Sequence, residues 1–406
     1  METLEAALAG VLCELGFAAQ RAQACARLFV ETTCDGVYTH GVSRFPRFVE
    51  MIKNGSVNPS AEPICKAKFG AVERWDGQRG PGNLNAQAAM ARVLALSGEH
   101  GVGMVSLGNT NHWMRGGSYG WQAAEAGCIG ICWTNTMPNL PPWGGRAAAI
   151  GNNPLVIAVP RAKGPVVLDM AMSQFSYGAL ESYRKRSEAL PMDGGFDTEG
   201  KLTRDAASIE ASQRPLPVGF WKGSGLAVVL DMIAAMTARG KATHDLPADP
   251  LREAGVSQVF VAMKPEAFGS REEAERIADG IVESIHQCAP AEGVAVVRYP
   301  GEKTLATRRE NRRLGVPVEE AVWEAILAMG GSAGVGWKAD DHGSPFRERR
   351  LLRGRLRPRG RDDAEDSEVA AGNHPGVDDG GVRDCAGGGE AGAQRGAAGV
   401  WRGQPD

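Results

Sequence analysis

The chain predicts a layered α/β body joined to a smaller helical part, and three observations predict it. From about Ala71 onward, short β-branched runs alternate with longer segments of helical period. Ahead of that change the apolar residues recur at helical spacing only, and one more helix closes the pattern at residues 316–329. At 406 residues the chain also exceeds the roughly 250 to 300 residues at which a single core stops growing.

Each element has its own signal. Residues 1–36 read as two amphipathic helices, the first carrying Leu4, Leu8, Val11, Leu12 and Leu15 on one side. A third helix is predicted to begin near Ser43 and to stop at Asn54-Gly55. Predicted strands are "GVGMVSL", "IGICWTN", "NPLVIAVP", "PVVLDMA", "VSQVFVAM" and "GVAVVRYP". Between them, "NLNAQAAMARVLALSGEHG", "GSGLAVVLDMIAAMTARG" and "REEAERIADGIVESIHQC" predict helices. After Met329 the Gly, Ala, Arg and Asp stretches cannot bury enough apolar surface to offset ordering entropy. A disordered, appended tail over 330–406 is the expectation, and its arginines between Arg347 and Arg361 are expected to be solvated.

A net charge of -3, with 43% hydrophobic and 23% charged residues, gives no reason to expect nucleic acid or a membrane as partner. The N-terminus carries Glu2 and Glu5 where a signal peptide needs positive charge, and no stretch is long and apolar enough to span a bilayer, so a cytoplasmic location is expected. The eight cysteines are scattered without zinc-ligand spacing and read as buried thiols, with no metal site.

No G-x-G-x-x-G, P-loop, H-E-x-x-H or G-x-S-x-G motif is present, so any nucleotide must be held another way. Candidate chemistry begins in "VYTHGVSRFPRF", where arginines follow His40 at four and seven positions. Histidine titrates near neutrality and can protonate a carbonyl oxygen, while Arg44, on the same face of a helix, offers a planar fork to a carboxylate; the two suit a 2-keto acid. The same spacing fits a helix N-terminus capped by Thr39 with His40 and Arg44 in solvent. A second loop, "NTNHWMRGGSYGW", sets Asn111, His112 and Arg115 ahead of a helix starting near Ser118, a usual place for ligands but also a simple glycine turn. Trp221 and Lys222, predicted just before a helix from Ser224, suit a flat ring and a phosphate or ribose.

In order, "VYTHGVSRFPRF", "NHWMRGGSYGWQAAEAGCIGICWTN", "GNNPLVIAVP", "LPMDGGFDTEG" and "PVGFWKGSGLAVVLDMIA" resemble the malate/L-lactate dehydrogenase family that lacks a Rossmann fold, and within it the branch that reduces 2,3-diketo-L-gulonate. The resemblance runs from residue 1 to Met329. It implies a mixed-sheet NAD-binding domain of non-Rossmann type over 76–299, and a smaller helical domain over 1–75 with 300–329 packed on it. It implies a cytoplasmic homodimer that uses NADH, with NADPH the weaker choice, to reduce a ketone next to a carboxylate. The proton donor falls on His40; Arg44 is inferred to hold the carboxylate, and Asn111 and His112 other substrate oxygens. Cofactor segments fall on Pro165, Val166, Val167, Leu168, Asp169, Met170 and Ala171, on Trp221 and Lys222, and on Gly301, Glu302 and Lys303. Glu302-Lys303 and Asn152 depart from the family wording, which has His-Glu and threonine there. Malate, lactate, ureidoglycolate, sulfolactate or a cyclic imino acid are the alternative substrates, and a silent ligand-binding protein is the rival of another class.

Overall fold

A computed structural model describes residues 1–330, so the tail that the composition predicts to be disordered lies outside the described residues. Helices α1 (Glu2–Glu14) and α2 (Ala19–Cys34) pair through the positions the spacing selects, and α2 buries Ala22, Cys25, Ala26, Phe29 and Val30. Two 3-10 turns, Tyr38–His40 and Val42–Arg44, lead into α3 (Phe45–Lys53), which has Pro46 in its first turn where a missing N–H costs nothing. Phe29 meets Phe45 edge-on with centroids 5.4 Å apart. A buried aromatic of this kind contributes about 1.5–3 kcal/mol. The last helix, Glu320–Met329, adds Ile326 to this same core, so the two ends of the described chain share one hydrophobic cluster.

The body is a mixed sheet. In chain order its elements are β1 (Ile64–Phe69), β2 (Val72–Asp76), α4 (Gly82–His100), β3 (Val102–Asn111), α5 (Gly117–Glu125), β4 (Ile129–Thr134), β5 (Leu155–Val159) and β6 (Val166–Met170). Then come α6 (Tyr177–Arg186), a small hairpin of β7 (Gly195–Phe196) and β8 (Leu202–Thr203), α7 (Ala206–Ser212), α8 (Trp221–Ala238), β9 (Ala254–Met263), α9 (Arg271–Gln287) and α10 (Glu302–Leu314). The seven-stranded sheet runs β1-β2-β3-β9-β4-β5-β6. Only β2 and β3 are parallel, joined by the α4 crossover that such a pair requires; the other ladders are antiparallel. One face packs on α4 and α5 through Met90, Val93, Tyr119, Trp121 and Phe260, the other on α8 through Ala227, Leu230, Ala234, Trp133 and Val259.

Four expectations change. The sheet starts at Ile64, inside the stretch read as helical, because every residue of β1 is exposed and carries no burial period. "GVAVVRYP" forms no strand: it crosses the β6 edge, touching it where Val167 N–H donates to Pro300 O, and β propensity without a partner ladder makes no strand. The α8 helix begins at Trp221, so Trp221 and Lys222 form its first turn and do not precede it. Cys25, Cys34, Cys128 and Cys132 are buried as expected, but Cys13, Cys65 and Cys288 are exposed, each on an element or loop facing solvent.

One buried ion network ties the helical part to the sheet. Asp35, just past α2, accepts from Arg115 in the loop after β3 and from Arg308 of α10 at 2.6 and 2.8 Å. Burial alone would raise the Asp35 carboxyl, but Arg308 and Arg115 outweigh it and hold it below its ordinary range. Stability from this group is therefore present above the ordinary carboxylate range and is lost as pH falls through the lowered native pKa. Asp35→Asn leaves Arg308 with Glu125 at 2.9 Å and Arg115 with Asp169 at 3.7 Å as their remaining acidic partners, and a loss of about 3 kcal/mol is expected. A urea-unfolding midpoint equal to that of the parent protein would show that the network does not hold the structure.

Candidate active site

His40 and Arg44 do not lie on one α-helical face. Gly41 breaks the chain into two separate 3-10 turns, with Val42 N–H donating to Thr33 Oγ1 at 2.8 Å. A Cβ on Gly41 would lie 2.1 Å from Thr33 Oγ1 and 2.9 Å from Thr33 N, so only glycine lets this loop seat against α2. Beginning three residues after Asp35, the 38–44 turns inherit their position from the ion network.

The structure brings the two sequence-selected histidines together. Their rings stack with centroids 5.9 Å apart and planes inclined by 16°. Met114 N–H donates to His112 Nδ1 at 3.1 Å, which makes that ring an acceptor there and puts its proton on Nε2. Thr39 Oγ1 lies 3.0 Å from His40 Nδ1, where hydroxyl and ring nitrogen share a hydrogen bond. Burial, then the positive charges of Arg44, Arg115 and Arg47, hold His40 down to about 3. Burial, Arg44, His40 and Arg47 likewise hold His112 well below its ordinary value. At neutral pH both rings are therefore neutral, and His112 carries its proton on Nε2.

Arg44 makes no hydrogen bond or ion pair among the described residues through its guanidinium. Burial and neighbouring Arg47 lower it to about 10, which is still a full cation at neutral pH. Arg47 anchors itself on Pro250 O at 2.6 Å, and its Nε is buried without a partner. Two guanidiniums next to donor imidazoles can bind a carboxylate and polarise an oxygen beside it. Asn111 spends its amide nitrogen within the fold. Its amide nitrogen donates to Arg79 O and Gly80 O at 2.8 and 2.9 Å, leaving only a buried, unpartnered Oδ1.

The three segments expected to hold the nucleotide meet along β6, which among the described residues ladders with β5 alone and on its other edge meets Pro300 O through Val167 N–H. Gly301 adjoins its middle: a Cβ there would lie 3.1 and 3.2 Å from Val167 N and O, so bare backbone faces bare backbone. Pro217 bridges Ser173 and Val218 N–H donates to Met172 O, which brings the Trp221-Lys222 turn to the strand's far end. Trp221 is 63% exposed. A strand edge with a glycine contact and an uncovered indole fits a dinucleotide with a flat ring at one end. Within this group, Asp169 is turned away to the α5 N-terminus, accepting from Gly117 N–H at 2.8 Å, and burial raises its carboxyl against the effect of Arg115. Glu302 accepts from Tyr299 N–H at 3.2 Å and meets His286 at 3.1 Å. Asn152 bonds Thr136 and Asn139 in its own loop.

Thr39, Arg47, Asp35 and Glu253 are site or site-holding residues that the sequence reading did not select. Arg47 had a visible signal, the second arginine after His40; Asp35 and Glu253 had none, since their partners are distant in sequence. A sheet without a glycine fingerprint, with paired imidazoles beside the unpaired Arg44 guanidinium, matches an oxidoreductase of the 2-hydroxy acid dehydrogenase class. The malate/L-lactate dehydrogenase family model matches residues 1–327. A 2,3-diketo-L-gulonate reductase of Citrobacter koseri is 46% identical over 329 residues, 81% of this chain and 98% of its own. Among solved structures, sulfolactate dehydrogenase from Methanocaldococcus jannaschii aligns with TM-score 0.75 at 28% identity, covering 81% of this chain and 95% of its own. Malate dehydrogenase from Pyrococcus horikoshii gives 0.73 at 26%, covering 81% and 94%. The chain belongs to the malate/L-lactate dehydrogenase family.

Because both native histidine pKa values are depressed, the unfolded chain takes up protons below about 6.5 while the folded one does not. Stability is therefore expected to fall as pH drops from there toward 3. In the free protein at pH 6, nitrogen-detected NMR is expected to show His40 and His112 each singly protonated, His112 at Nε2. Doubly protonated rings at that pH would overturn the electrostatic reading of the site.

Proposed function

We propose that the protein reduces the ketone of a 2-keto acid, and that 2,3-diketo-L-gulonate, reduced at C2 to 3-dehydro-L-gulonate, is the substrate that suits it best. The observation that carries this reading is the stacked His40–His112 pair beside the unpaired Arg44 guanidinium. The 46% identity to a relative bearing that substrate in its name supports the finer choice. A reduced nicotinamide, when bound, supplies a hydride to the carbonyl carbon.

The chain's own residues account for the proton. Arg44 receives the substrate carboxylate, and the arriving negative charge offsets the guanidinium field that keeps His40 neutral. His40 then takes up a proton from solvent and, through Nε2–H, delivers it to the oxygen as charge develops there. His112, held as the Nε2–H tautomer by Met114, donates to the neighbouring oxygen. A hydroxy acid and a neutral His40 result.

NADH is the proposed donor, with NADPH the weaker choice, and the location is proposed to be cytoplasmic. Among the described residues no helix is long and apolar enough to cross a membrane. A helical part carrying His40 and an α/β part holding the nucleotide are proposed as the working division, with β1 and β2 counted in the latter. We further infer a homodimer, supported by the outer face of α8, where Val229, Met232 and Met236 are exposed in a row. Met232→Glu with Met236→Glu is expected to halve the mass seen by light scattering; an unchanged mass would place any interface elsewhere.

The central test is His40→Ala, expected to lower kcat by roughly 10²- to 10⁴-fold while dinucleotide binding is retained. Assayed with NADH and with NADPH, the parent is expected to turn over 2,3-diketo-L-gulonate faster than oxaloacetate, pyruvate or sulfopyruvate. Unimpaired turnover by the variant removes His40 from the role.

A further inference from the structure

Glu253 is a carboxylate that the proposed chemistry does not use, yet it stands at the site. It is 4% exposed and immediately precedes β9. Asn111 pairs with Ala254 in the last step of the β3–β9 ladder, so His112 and Glu253 each adjoin that pair in sequence. Met137 N–H donates to its Oε1 at 3.2 Å, and no described residue hydrogen-bonds its Oε2. The 246–253 loop that carries it is clamped to α3, with Arg47 donating to Pro250 O at 2.6 Å and Asn54 to Leu251 O at 2.8 Å. Its charge is felt by both Arg44 and Arg47, but neither approaches within ion-pair distance, 4.0 Å, among the described residues. The Glu253 carboxylate thus lies near enough to act on both guanidiniums but pairs with neither.

We propose that Glu253 determines specificity by accepting a hydrogen bond from a substrate hydroxyl and by repelling a second anionic group. This deepens the keto acid reading of the His40–His112 site and rests on it. An ionised carboxylate is an acceptor only, so a hydroxyl can donate to it while a carboxylate or sulfonate meets like charge in a poorly solvated space. The favoured substrate class is then a keto acid with one carboxylate at Arg44 and a neutral, hydroxylated tail toward Glu253. Dicarboxylic keto acids such as oxaloacetate, and sulfonated ones such as sulfopyruvate, are selected against. Sites that hydrogen-bond a substrate hydroxyl discriminate strongly, because the group left unpaired by the wrong substrate is buried.

Glu253→Gln is the test, since the amide oxygen can still accept from Met137 N–H while the charge is gone. Expected is a fall in kcat/KM for 2,3-diketo-L-gulonate of about 10- to 100-fold, as for a lost bond to a charged group. With it, kcat/KM for oxaloacetate should rise at least about 10-fold. An equal change for both substrates, or none, overturns the inference while leaving the reductase reading intact. Absence of turnover by the parent on every keto acid overturns both. Should the variant fail to fold, inhibition of the parent decides: glycerate binding more tightly than malate supports the role of Glu253, and the reverse order overturns it.

Discussion

The carboxylate of Asp35, buried between two guanidiniums, is the interaction on which the site depends. Arg115 comes from the loop after β3 and Arg308 from α10, so one side chain fixes α2 to the sheet and to the last third of the described chain. His40 follows Asp35 closely in sequence, and His112 precedes Arg115 closely. The two imidazoles therefore meet because the network registers their loops against each other. A carboxylate here tolerates burial because each oxygen has a charged donor, and either guanidinium alone would be expensive to leave unpaired.

The electrostatics of the pocket follow from that packing. Arg115, Arg44 and Arg47 place positive charge around rings already short of solvent, and both effects favour the neutral imidazole. A site that is cationic and proton-poor when empty is suited to an anionic substrate, because the ligand itself supplies the charge that makes protonation of His40 favourable. On the proposed chemistry, binding and acid catalysis are coupled through one field, with the Thr39 hydroxyl at His40 Nδ1 and Met114 N–H at His112 Nδ1.

The legible parts were those whose signal is local. Helices such as 271–287, with Ser270 capping and a regular apolar spacing, and strands such as 129–134 stand where the pattern puts them. Unclear parts had no local signal. Strand β1 is exposed on every residue, so it shows no alternation, and residues 293–300 have strand composition but meet β6 through Val167 N–H to Pro300 O without forming a ladder. His40 and Arg44 are spaced as one helical face, but contact with Thr33 forces a break at Gly41 that spacing cannot reveal.

By itself the sequence determined the α/β class, the absence of a glycine-fingerprint nucleotide site, and the residue types able to move a proton and hold a carboxylate. Those properties follow from periodicity and from side-chain chemistry, which each residue carries wherever it lies. Only the tertiary structure decided that His40 stacks on His112, that burial and nearby arginines favour their neutral forms, that the Asn111 amide is tied to Arg79 O and Gly80 O, and that Glu253 is buried. Each of these depends on distances and desolvation between segments far apart in the chain, and such quantities exist only once the chain has packed.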